Sequence, residues 1–112
     1  MKLIALVVLL SLASCPNNIE PNVPDCIQEL IKELEKDECN GAVVEYMFNG
    51  KVVYAYGYSY EQCAGADFAS SVVDENCEPL CTLGGIAGLL ECDGLVFADE
   101  AVFVRNVWEP KD

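Results

Sequence analysis

The chain has 112 residues, with 19 acidic against 6 basic side chains, seven cysteines and no histidine. A formal net charge of −13 repels nucleic-acid phosphates and anionic lipid headgroups, which leaves nucleic acid out as a partner. The lack of histidine removes the commonest general base, the Ser-His-Asp and Cys-His arrangements and nearly all catalytic zinc sites, so the composition argues against an enzyme.

Lys2 precedes an apolar run over residues 3–10, and the run closes in Leu12-Ala13-Ser14-Cys15. A charged, then apolar, then small-residue order is that of an export signal. Its aliphatic-small-small-cysteine ending reads as a lipobox, with residues 1–14 removed and Cys15 carrying the lipid. Cleavage without lipid is the competing reading. A membrane span needs about 20 apolar residues, roughly twice what this run offers. More than one acyl chain on a cysteine gives stable anchoring. The expected partner is therefore a lipid bilayer, reached through Cys15. The expected location is the bacterial cell envelope, with the outer membrane favoured.

Removing 14 residues from 112 leaves 98, enough for one small domain. Residues 15–24 contain Pro16, Pro21 and Pro24 with Asn17, Asn18 and Asn22, and read as a tether. The folded domain is expected over residues 25–112.

Residues 25–38 carry the clearest helix pattern. Asp25 and Gln28 match a capping box, and Ile27, Leu30, Ile31 and Leu34 form an apolar stripe. Glu29–Lys32 and Glu33–Lys36 are surface neighbours of opposite charge. Asn40-Gly41 ends the helix. Along it Cys26 and Cys39 would stand about 20 Å apart. A disulfide needs Cα atoms within about 7 Å, so these two are not expected to pair.

Residues 42–48 and 51–58 flank Asn49-Gly50, the strongest short hairpin signal. A two-residue turn sets Phe48 opposite Lys51, Met47 opposite Val52, Tyr46 opposite Val53, Glu45 opposite Tyr54 and Val44 opposite Ala55. The face with Val44, Tyr46, Phe48 and Val53 is expected to meet the helix, because the other carries Glu45. Tyr54, Tyr56, Tyr58 and Tyr60 alternate at strand spacing and are expected to shield the second face.

Residues 61–94 show no sustained periodicity and read as a long cysteine-pinned loop region, with at most a brief helix near 66–73. Within it Gly84, Gly85, Ile86, Gly88, Leu89 and Leu90 lie between Cys81 and Cys92 and form the candidate binding loop. A set of tight turns packed on the core is the simpler alternative. The loop has no lysine and no GxxxxGK[ST] pattern, so phosphate binding is unsupported. Asp74, Glu75, Asn76, Glu78, Glu91, Asp93, Asp99 and Glu100 offer oxygens of the kind calcium takes, but without EF-hand spacing, and solvated acidic loops explain them more simply. No metal and no cofactor is expected. Residues 101–108 are rich in β-formers and read as a strand.

Setting Cys15 aside leaves Cys26, Cys39, Cys63, Cys77, Cys81 and Cys92. An even number in a short exported chain points to a disulfide framework whose pairing the sequence leaves open. Cys77 and Cys81 also fit half a metal site, but an oxidising compartment favours disulfides. The expected fold class is α+β, with one N-terminal helix packed on a small antiparallel sheet and a disulfide-rich C-terminal loop region.

Cys77-Glu78-Pro79-Leu80-Cys81, Gly84-Gly85-Ile86-Ala87-Gly88, Cys92-Asp93-Gly94, Phe97 and Val107-Trp108 resemble a family of small cysteine-rich bacterial lipoproteins of unassigned function. The helix bearing Cys26 and the Val53-Tyr54 strand extend the resemblance over most of residues 25–109. Single Cys63 before Ala64-Gly65 departs from that family's doubled cysteine, and Leu89-Leu90-Glu91 from its Gly-Asp-Gly run. The resemblance implies a fold and an address and brings no catalytic residue. The function expected is a non-enzymatic binding or structural role toward an unknown protein or other envelope partner. The alternative is a small inhibitor of a protease or other exported enzyme.

Overall fold

The computed structural model describes residues 19–37, 39, 41–57, 69–84 and 88–110. The expected signal at 1–14, Cys15, Cys63, Tyr58, Tyr60, Gly85 and Ile86 lie outside the described residues.

Helix α1 (Asp25–Leu34) starts after Pro24 and ends where the apolar stripe ends. It is shorter than the expected 25–38, because beyond Leu34 the sequence has no further side chain to bury. Turn bonds from Lys36 N to Glu33 O and from Asp37 N to Leu34 O close its last carbonyls. The expected capping box does not form. Pro24 occupies the cap position, Asp25 lies within the first turn, and the Gln28 amide donates to Val23 O at 2.8 Å. Both expected ion pairs are present, Lys32–Glu29 and Lys36–Glu33, each at 3.0 Å on the exposed face.

Five antiparallel strands make the main sheet: β1 (Val43–Phe48), β2 (Lys51–Gly57), β3 (Ala69–Asp74), β4 (Pro79–Gly84) and β7 (Val102–Trp108). They lie in the order β4-β3-β2-β1-β7. The β1–β2 register is the expected one, pairing Phe48 with Lys51 and Val44 with Ala55. Asn49 and Gly50 both take positive φ, as a tight two-residue hairpin turn requires. A small second hairpin, β5 (Glu91–Cys92) and β6 (Leu95–Val96), runs into the one-turn helix α2 (Phe97–Glu100).

Residues 69–74, 79–84 and 91–92 therefore form strands within the stretch expected to be a loop region, the first of them where a brief helix was expected. The reason lies in the sheet's two covers. Val72 and Val73 are adjacent and both buried, one in each of two apolar clusters on opposite faces. A strand buried on both faces shows no alternation, only a short apolar run.

Helix α1 covers one face. Ile27, Ile31 and Leu34 pack with Val43, Tyr54, Val73, Val107 and Trp108. This is the face that carries Glu45, opposite to the expectation. The Glu45 carboxylate is accommodated by Arg105, whose Nε lies 2.9 Å from Oε1 and whose Nη1 donates to Pro21 O. Tyr54 and Tyr56 pack on this face beneath α1, whereas the tyrosine stripe was expected to shield the face turned away from the helix. The other face gathers Phe48, Val53, Val72, Cys92 and Phe97 beneath β5, β6 and α2.

Cys26 is bridged to Cys77 and Cys81 to Cys92. Cys39 is also disulfide-bonded. The first bridge ties the start of α1 to the β3–β4 turn, in keeping with a helix too long to bridge its own ends.

Tyr54 gives the fold an alkaline limit. Burial first, then the Glu45 and Glu75 carboxylates, push its phenol up to about 12. An unfolded tyrosine ionises near its ordinary value of 10.0, so the unfolded state releases its proton first as pH rises. The stability held by neutral Tyr54 is complete below pH 10.0 and is lost on approach to about pH 12. Denaturant melts across that window should show a falling midpoint, and Tyr54→Phe should flatten the fall. An equal fall in both proteins would remove Tyr54 as its cause.

Candidate functional site

The candidate loop springs from the end of β4. Gly84 and Leu89 exchange backbone hydrogen bonds in both directions, at 2.7 and 3.1 Å, and so hold the loop's two ends together. Gly84 and Gly88 both have positive φ, which glycine takes without strain. Leu90 O then accepts from Phe97 N at 3.0 Å, which stitches the loop's exit to α2. The Cys81–Cys92 bridge holds β4 against β5 immediately behind it.

Past Cys92 the chain turns at Asp93-Gly94, both with positive φ, and returns as β6. This is the same two-residue hairpin chemistry as Asn49-Gly50. The Asp-Gly dipeptide between short apolar pieces is the sequence signal for it. The hairpin delivers Val96 and Phe97 to the loop. Phe97 is fixed by aromatic contacts, edge-on to Tyr46 at 5.2 Å and tilted against Phe48 at 4.9 Å.

Between loop, hairpin and sheet lies an open groove of about 220 Å³, lined chiefly by Leu83, Leu89, Leu90, Val96 and Phe97, with Ser70 as the one polar side chain. Leu89 is 49% exposed and Leu90 67%, although both are large and apolar. The lining has no ionisable group. The site can hold apolar matter and offers no acid, base or nucleophile beyond one hydroxyl.

Of the candidate loop residues, the structure brings Gly84, Leu89 and Leu90 into the groove's lining and sets Gly88 in the turn beside it. Sequence reasoning missed Ser70, Leu83, Val96 and Phe97, which come from three other segments. The acidic side chains do not converge. Asp74 Oδ1 is taken up by backbone N–H groups of Asn76 and Glu78 at 2.8 and 2.9 Å, an acceptor for its own turn. Among the described residues no three His, Cys, Asp or Glu side chains group as metal ligands. No helix among them is long and apolar enough to cross a membrane.

Residues 29–110 match the family described as a domain of unknown function, DUF6970. No curated protein and no solved structure matches the chain.

Proposed function

We propose that this chain, which belongs to the DUF6970 family, is a non-enzymatic lipoprotein of the bacterial cell envelope, anchored through Cys15, whose loop at residues 84–90 is its binding surface. The observation that carries the binding role is the pair Leu89 and Leu90, left exposed on a turn that is hydrogen-bonded, cross-linked from behind and set beside an apolar groove. A preorganised loop loses little entropy when it binds, so such a surface is suited to recognition. The anchor rests on the lipobox ending at Cys15. The absence of histidine from the whole chain supports a role without catalysis.

Anchoring is tested by growing a bacterial host on an alkyne-tagged fatty acid. The label should appear on the wild-type protein and vanish from Cys15→Ala, which should also move to the aqueous fraction. A Cys15→Ala protein that remains with the membrane would sink the assignment.

The same exposed Leu89-Leu90 pair supports a second reading, an inhibitor of a protease or other exported enzyme. It forecasts that the soluble domain slows an exported protease and that Leu90→Asp relieves the inhibition.

A further inference from the structure

The strand polarities sort the sheet into two ends. At one end β7 finishes beside the start of β1, with Trp108 opposite Val43. Gly57 finishes β2 beside Ser70, and Ala69 begins β3 opposite Gly84, the last residue of β4. The loop with Leu89 and Leu90 therefore projects from the Trp108 end. The Asn49-Gly50 turn, the Cys77 turn and the exposed start of β7, Val102 and Phe103, lie at the other end.

The N-terminal segment leaves from the Trp108 end as well. Much of the expected tether is packed on the domain: Val23 is buried in the core under α1, and Ile19 rests against it. Pro21 O receives Arg105, and Glu20 N donates to Val107 O at 3.0 Å. Followed backward from Pro21 to Glu20, the chain thus runs from Arg105 toward Trp108 and away from Val102. Cys15 stands four Cα–Cα steps before Ile19. Fully extended, those steps span at most about 14 Å. From β7 to β4 the sheet is about 19 Å wide, four strand spacings. A lipid at Cys15 therefore holds the Trp108 end of the sheet within reach of the membrane.

We infer that the Leu89-Leu90 surface is occupied by the bilayer itself, so that the domain stands on the membrane with its Trp108 end down and Val102 and Phe103 pointing away. The inference rests on the lipid anchor proposed at Cys15 and names the partner of the same loop. The loop is suited to this contact because its exposed side chains are apolar and its groove lining carries no charge. The net charge of the anchored chain, 5 − 19 = −14 once Lys2 leaves with residues 1–14, makes a zwitterionic surface the favourable one.

The test uses the full lipidated protein in vesicles of phosphatidylcholine with brominated acyl chains, which quench only tryptophans that reach them. Leu90→Trp and Val102→Trp, 67% and 64% exposed in the native protein, place the probe at opposite ends without disturbing the core. Buried Trp108 supplies a common background, measured in the wild type. Leu90→Trp should lose most of its added emission and Val102→Trp almost none. Lipidated, vesicle-bound Leu90→Trp that stays bright would overturn the orientation while leaving the anchor intact, and would free the loop for a protein partner. Quenching of Val102→Trp to the same degree would overturn it too. Mass spectrometry finding Cys15 without lipid would remove the anchor and this inference together.

Discussion

Cys26→Ser combined with Cys77→Ser is expected to cost the domain about 4 kcal/mol, the chain-entropy value for a bridge between cysteines 51 residues apart. Small domains hold only about 5–15 kcal/mol in total, and this one is near the small limit. The double variant should therefore melt at a much lower urea concentration, or fail to hold its fold at 37 °C. The same relation gives about 3 kcal/mol for Cys81–Cys92, whose cysteines are 11 residues apart. Urea midpoints of the two double variants should rank in that order. A reversed order would mean that local packing outweighs loop closure here. Cys81–Cys92 has the more local task of holding β5 against β4, so its loss should show first in hydrogen exchange of residues 88–97.

Ile31→Ala should cost about 3–5 kcal/mol, the range for truncating a large buried aliphatic side chain in a site that collapses poorly. Ile31 is 0% exposed, in a cluster with Val43, Tyr54, Val107 and Trp108. It is thereby walled by strands from both ends of the sequence, and a β-sheet does not easily close over the loss of three side-chain carbons. Val102→Ala, at an exposed position, should stay within about 0.5 kcal/mol. Equilibrium denaturation of both variants checks the pair. An Ile31→Ala loss below about 1 kcal/mol would show that α1 is only loosely seated on the sheet.

What the sequence disclosed was local. The Asn49-Gly50 turn sets the β1–β2 register by its own length, so every cross-strand pair in that hairpin could be written down. The stripe of α1 was equally plain. The face that α1 covers was not, because Glu45 looks disqualifying until Arg105, 60 residues later, is laid beside it. That pairing depends on β7 joining β1, a long-range fact with no local trace. Strands β3 and β4 were obscured for different reasons: Ser70 and Ser71 dilute β3 and burial of Val72 and Val73 on opposite faces erases its alternation, while Pro79 opens the half-exposed edge strand β4. The candidate site was legible at Leu89 and Leu90 and hidden at Ser70, Val96 and Phe97, which reach it only through tertiary pairing.

The last strand of the sheet joins the first. Val107 and Trp108 fill the core beneath α1, and β7 borders β1 rather than β4. Any process that delivers the chain from its N-terminus, a ribosome or a translocation channel, releases α1 and the β1–β2 hairpin well before residues 102–108 arrive. Until then the helix has no complete surface to settle on, and loop-closure entropy opposes the non-local pairings that remain. The native core therefore cannot close behind a half-delivered chain, and the domain remains threadable until its final strand is through.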